Sequence, residues 1–352
     1  MSHATRRELL VASSATLAVC LVAGAATPAT AAADFAGKTI EYVIPFSPGG
    51  GSDAWARFNM PFLSKYLPGK PTMVIRNVPG GGSTTGANQF AAQAKPDGLT
   101  ILGTSASTQF PALLGDPRAK YDYIDFRLIL AAPTGQGSRQ AQGPAALLWQ
   151  PGRDLARPRA DRRLPRARPR REARVRHEGT QRRTAGLERG EATIDYQTTG
   201  AYLKSSIPLV KNGQAVPLFS WGATNEKGEI VRDPNFPELP HIGEAIEMAT
   251  GKKPAGLEWD VLKAFVLAGF GAQKLLLLPK GTSDEIVEAY REAVRKMRKD
   301  PDYQKGRMVA IGEYEQLTDG PGEALMKQGT TIAPEARAWI RDHLTKNYNV
   351  KF

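Results

Sequence analysis

The sequence predicts an α/β protein, and three observations carry the prediction. Two strand-like runs, "KTIEYVIPF" and "PTMVIRNV", each lead into a glycine-rich turn and then into apolar residues at helical spacing. A third such run, "LTILGTS", follows them. Near the C-terminus, the apolar "QKLLLLP" precedes a long amphipathic stretch. Strands that alternate with helices imply a parallel sheet covered by helices.

Residues 1–33 read as a secretory signal. Arg6 and Arg7 supply the charge, Leu9–Ala26 the apolar stretch, and "ATPATAAAD" the small residues, with cuts expected after Ala31 or Ala33. A membrane anchor is the weaker reading, because this Ala-rich run barely reaches the ~18 residues that a span needs. Cys20 is the one cysteine and lies inside the leader, so the mature chain is expected to carry no disulfide.

The first strand is β-branched and aromatic and closes at Pro45. After "SPGGGSD", the run "AWARFNMPFLSKYL" predicts a helix capped by Ser52 or Asp53 and kinked at Pro61. The second strand leads through "PGGGSTTG" into a helix over "ANQFAAQA", stopped by Pro96, and Asp97–Gly98 turns the chain into the third strand. Further on, "ATIDYQTTGAYLKSSIPLVKNGQAVPLFSW" reads as strand, helix, strand. "GTSDEIVEAYREAVRKMRKD" predicts an amphipathic helix with Ser283 as N-cap and Glu285 in its first turn, and "TIAPEARAWIRDHLTKNY" a C-terminal helix.

Gly137–Leu187 does not fit this pattern. It holds 14 Arg against four acidic residues and no Ile, Phe, Tyr, Met, Asn or Lys. No period of 3.6 or 2 that would bury a face is visible in it. The formal net charge of +12 sits almost entirely there, and the remaining body is near neutral. That neutrality argues against nucleic acid as a partner, despite the arginine run.

The two glycine loops are the strongest functional signal. Consecutive glycines let backbone N–H groups turn toward a ligand, and a helix N-terminus adds unpaired donors and partial positive charge. Two such loops at neighbouring strand ends suit a carboxylate or phosphate. Ser47, Ser52, Ser83, Thr84 and Thr85 add hydroxyls. Either loop alone could be a tight turn only. "GGGSTTG" approaches a dinucleotide fingerprint, but its spacing is off by one, and no G-K-[ST] motif is present. The four His residues (His3, His177, His241, His343) show no metal spacing, and no nucleophile motif is visible. Asp53 reads as a backbone brace more readily than as a catalytic carboxylate. No cofactor or metal is expected.

In "YVIPFSPGGGSDAWAR", "RNVPGGGSTTGANQFAAQAKPDGLTIL", "ERGEATIDYQTTGAYLKSSIPLVKNG" and "LLLLPKGTSDEIVEAYREAVRKM" the sequence resembles the substrate-binding proteins of tripartite tricarboxylate transporters, the Bug/TctC family. The resemblance implies a periplasmic, non-enzymatic binding protein with the two-lobed type II architecture. Residues 34–130 plus 263–352 would form lobe 1, and 131–262 lobe 2. A small carboxylate-like solute would sit in the cleft and pass to membrane permease subunits, with the binding protein acting as a monomer. By resemblance, the ligand-binding residues are Phe46, Ser47, Gly49, Gly50, Gly51, Ser52 and Asp53 in the first loop, and Gly80, Gly81, Gly82, Ser83, Thr84 and Thr85 in the second. Thr104 and Ser105 at a strand end, and Thr198 and Thr199 in lobe 2, match cleft-lining positions. Where the family carries lobe 2's main ligand loop, this chain carries Gly137–Leu187, so the second lobe is expected to be disrupted.

That segment reads as a frame-shifted stretch of a GC-rich gene, whose codons read out of frame yield Arg, Ala, Pro and Gly. Shifted by one base, His177–Arg182 permits Met-Lys-Gly-Arg-Ser, and Leu148–Leu155 permits Tyr-Gly-Ser-Pro-Gly-Val-Thr-Ser. Both look like family motifs missing here. A genuine insert is the alternative. The rival functional class is an α/β enzyme that uses the glycine loops for a phosphorylated cofactor.

Overall fold

The computed structural model describes residues 33–141, 194–199, 202–225, 228–312 and 314–352. The leader expected over 1–33 therefore lies almost wholly outside the described residues, as does most of the arginine-rich segment.

The first half alternates as the sequence predicts through β1 (Thr39–Ile44), α1 (Gly51–Tyr66), β2 (Thr72–Asn77), α2 (Thr84–Gln93) and β3 (Thr100–Ser105), and continues with two elements outside that prediction, α3 (Ala106–Leu114) and β4 (Arg127–Ala132). Then follow β5 (Gln136–Ala141), β6 (Ile194–Thr198), a π turn over Tyr202–Ser206, α4 (Ile207–Lys211), β7 (Ala215–Ser220) and a small β8–β9 ribbon (Ala223–Thr224, Ile230–Val231). Helices α5 (Ile242–Thr250) and α6 (Leu257–Val266) lead to β10 (Lys274–Leu278). The chain ends on α7 (Asp284–Lys299), α8 (Pro301–Ala310), α9 (Asp319–Thr330) and α10 (Pro334–Tyr348).

The larger sheet has the order β2-β1-β3-β10-β4. β1 runs parallel to β2 and β3, whereas β10 is antiparallel to both β3 and β4. The sheet is thus mixed rather than purely parallel. Thr134 already contacts the turn before β10, its N–H donating to Phe270 O at 2.9 Å. The chain re-enters the sheet at the edge where β3 and β4 end, and can only run back against them. All five residues of β10 are buried, which is why "KLLLL" lacks alternation. One face of the sheet packs Ile40, Tyr42, Ile44, Leu276 and Leu278 against Trp55 and Leu63 of α1 and Tyr290 and Val294 of α7. The other packs Val43, Leu102, Leu275 and Leu277 against Phe90 of α2 and Leu325 of α9.

Local signals explain some helix ends. Ser283 Oγ accepts from Ile286 N at the start of α7, with Asp284 and Glu285 in the first turn and Lys296, Arg298 and Lys299 in the last. One expectation for α1 is corrected. Its N-cap is Gly50, not Ser52 or Asp53, because both of those side chains are engaged elsewhere. Pro61 lies inside the helix, which ends at Tyr66.

The second sheet has the order β6-β5-β7, with both pairings antiparallel. Its central strand, β5, includes the first residues of Gly137–Leu187, where no burying period is visible in the sequence. Residues 137–141 lie in that strand and pair with β6 and β7. Ladder bonds come from backbone groups, so "GSRQA" can occupy a strand without an alternating apolar pattern. Residues 142–187 lie outside the described residues. Around this sheet Tyr202, Phe236 and Leu239 form a small buried cluster. Among the described residues, no helix is long and apolar enough to cross a membrane.

Candidate ligand-binding site

Parallel pairing of β1 with β2, in register from Thr39↔Thr72 to Ile44↔Asn77, sets the two glycine loops side by side at one edge of the larger sheet. Val78 N donates to Ile44 O at 2.8 Å and continues that pairing into the second loop. β3 ends at the same edge, so α1, α2 and α3 all begin there. Ligand sites of open α/β sheets lie outside the carboxyl ends of their strands.

The first loop is held by Asp53, which is 2% exposed. Its Oδ2 accepts from Gly49 N at 2.9 Å and from Arg57 Nε at 2.9 Å, and its Oδ1 accepts from Asn77 Nδ2 at 3.0 Å. Asn77 Nδ2 also donates to Phe46 O at 3.0 Å. The Arg57 hydrogen bond, helped by Gly49 and Asn77, holds the Asp53 carboxyl below its ordinary range. Asp53 therefore ties the loop to β2. Ser47, Gly49, Gly50 and Gly51 are exposed, Phe46 is half-buried, and Ser52 is buried. Gly49 has φ +80°, a conformation that glycine adopts without cost, while Gly50 lies at an ordinary φ of −80°.

The second loop is wound more tightly. Gly80, Gly81, Gly82 and Ser83 all have positive φ (130°, 58°, 69° and 81°). At the three glycines a positive φ meets no Cβ, so their backbone N–H groups stay open to an anion. Ser83 N donates to Gly80 O at 2.8 Å, and Thr84 Oγ1 to Gly81 O at 2.9 Å. Ser83 and Thr84 are buried, and Thr108 Oγ1 donates to Ser83 Oγ at 3.1 Å. These hydroxyls brace the loop from beneath. Gly80, Gly81 and Gly82 are exposed and Thr85 is half-buried. The amides of Gly81 and Gly82 fall in the first turn, which has no intrahelical acceptors for them. A Cβ on Gly81 would lie 2.5 Å from Thr84 Oγ1.

Thr104 and Ser105 end β3 and are both buried. Thr199 is fully buried: its N donates to Gly135 O at 3.0 Å, and its Oγ1 lies 2.9 Å from Tyr314 Oη. Tyr314 Oη in turn donates to the buried Asp233 Oδ2 at 2.5 Å. Thr199 thus belongs to a buried network at the crossing between the two sheets. Thr198 pairs with Gln136 at the end of β6. His241 Nδ1 accepts from Gly243 N at 3.0 Å and caps α5, and burial lowers its pKa.

Sequence reasoning missed Lys274. It opens β10, is 8% exposed, and its Nζ donates to Ser52 Oγ at 2.7 Å. Burial pushes its pKa down to about 7. A lone Lys heading four leucines was the available signal.

No protein-family model and no curated protein sequence matches the chain. Solved structures do. A TctC solute-binding protein from Polaromonas superposes with a TM-score of 0.55 at 15% identity, covering 88% of this chain and 98% of its own. The periplasmic binding protein BugD gives 0.51 at 18%, covering 86% and 97%. MatC from Rhodopseudomonas palustris, solved with bound malate, gives 0.51 at 16%, covering 83% and 96%. The chain has the two-lobed α/β fold of the Bug and TctC binding proteins.

Proposed function

We propose that this chain binds a small carboxylate, or a related oxygen-rich organic solute, without chemical conversion. The carrying observation is the pair of glycine loops on adjacent parallel strands. Each opens a helix, and the second has four successive positive φ values. Exposed backbone donors at two helix N-termini are suited to a carboxylate. Malate bound to a protein of the same fold supports that ligand class. We further propose a periplasmic location after removal of residues 1–33, a monomeric state, and delivery of the solute to a tripartite tricarboxylate-type permease.

The alternative, an enzyme holding a phosphorylated cofactor on the same loops, predicts a different ligand. A thermal-shift screen of di- and tricarboxylates against nucleotides separates the two. Stabilisation by carboxylates alone is the expected result, and stabilisation by nucleotides alone overturns the proposal.

The arginine-rich segment bears on affinity. We read Gly137–Leu187 as frame-shifted text that replaces lobe 2's ligand loop, so the chain as written should bind more weakly than its frame-restored form. The gene should show two compensating indels bracketing the segment, with the first allowed to fall after the codons of β5. Homologues carrying the same arginines in frame would end that reading.

A further inference from the structure

Lys274 occupies an unusual position for a lysine. Because β10 is antiparallel, its first residue lies at the edge where β1, β2 and β3 end, in register with Ser105 of β3 and Ala132 of β4. Leu276 and Leu278 pack on the face covered by α1, and Lys274 shares that face by the two-residue alternation of a strand. Its ammonium reaches Ser52, the second residue of α1, directly behind the first glycine loop.

The group has little to compensate its burial. An ammonium has three donors, and among the described residues one hydrogen bond is made, to Ser52. The charged and titratable surroundings are few. From α1, Asp53 follows Ser52, but its carboxylate is ion-paired with Arg57 and hydrogen-bonded to Gly49 and Asn77. From β3 and β4 the paired residues are the uncharged Ser105 and Ala132. From β1, the buried Tyr42 phenol is held neutral by a raised pKa. The positive end of the α1 dipole makes a neighbouring cation less favourable still. A buried cation beside helix N-termini lacks an anion, and the glycine loops form the place beside it where an anion would lie.

We infer that Lys274 is the cationic contact of this site, protonated when an oxyanion occupies the glycine loops, so that binding takes up a proton. The inference deepens the proposed function and rests on it for the ligand class. A carboxylate and a free phosphate share the required chemistry.

The linkage has a definite sign. Desolvation lowers the free site's pKa to about 7, and a bound anion raises it. Affinity is therefore greatest below pH 7 and declines above it, up to the raised pKa of the complex.

The test uses the full chain with 13C-labelled lysine, assigning the Lys274 Cε resonance by its absence in Lys274→Met. Malate and inorganic phosphate are titrated separately between pH 6 and 9, and calorimetry in two buffers of different ionisation heat counts protons. The expected result is a midpoint near 7 without ligand that moves up by about one unit or more with malate. Net proton uptake at pH 7 should accompany it, with about tenfold or greater loss of malate affinity in Lys274→Met. Malate binding that is unchanged in Lys274→Met and takes up no proton overturns the role of Lys274 and leaves the carboxylate reading standing. A resonance moved by phosphate but not by malate or other carboxylates supports the oxyanion contact and overturns the carboxylate reading. A resonance that neither ligand moves overturns the inference.

Discussion

Gly81 and Gly50 look alike in the sequence, each inside a run of three glycines, yet the structure gives them different constraints. Gly81 has φ +58°, and a Cβ there would crowd Thr84 Oγ1 at 2.5 Å. Gly50 has an ordinary φ, and the nearest atom to its would-be Cβ is Ser47 O at 3.6 Å. Gly81→Val should cost about 1–3 kcal/mol of backbone strain, while Gly50→Val should leave the folded loop in place. Chemical denaturation of both variants checks this, and equal losses would contradict it. Lys274→Met gives a second residue-scale prediction. The buried lysine binds its proton less tightly folded than unfolded, so its cost is full below pH 7 and is relieved as pH rises toward 10.5. Lys274→Met should therefore stabilise the unliganded protein by a few kcal/mol (roughly) at pH 6 and by less at pH 9. Melting temperatures at the two pH values read this directly, and destabilisation at pH 6 would contradict it.

At the scale of elements, the alternation of β1 to β3 with α1 and α2 was legible because each signal is local: β-branched runs, glycine turns and Pro96, as was α7 from its Ser283 cap. The antiparallel direction of β10 was not legible, since a fully buried strand reads the same in either direction. β5 was hidden for the opposite reason, because its pairing uses backbone groups and leaves no apolar period. The buried Thr199–Tyr314–Asp233 network was equally invisible, since it joins residues far apart in sequence. It predicts a sharp effect at Gly135, between β4 and β5. A Cβ there would fall 1.7 Å from Tyr314 Oη and 1.9 Å from Asp233 Oδ2. Gly135→Ala should displace that hydrogen bond and leave a buried carboxylate short of a partner, at a cost of about 2 kcal/mol or more. A denaturation midpoint indistinguishable from that of the unsubstituted protein would show that the crossing is loosely packed.

At the scale of the whole molecule, the sequence located the two glycine loops in the chain and marked Asp53 as a backbone brace, but not its partner Asn77 or the brace beneath the second loop. Asp53 and Asn77 tie the first loop to β2, and Thr108 braces the second through Ser83. These contacts leave glycine amides, rather than the buried hydroxyls of Ser83 and Thr84, as the exposed donors of the site. Among the described residues, the one buried cation beside it is Lys274. The account thus rests on backbone amides as the binding groups. Backbone amide NMR of the full chain, titrated with whichever carboxylate gives the largest thermal shift, tests that claim most directly. Gly49 N–H is spent on Asp53, so the amide resonances of Gly50, Gly51, Gly80, Gly81 and Gly82 are expected to move together and saturate with one dissociation constant. Saturable carboxylate binding that leaves those five resonances in place would contradict it.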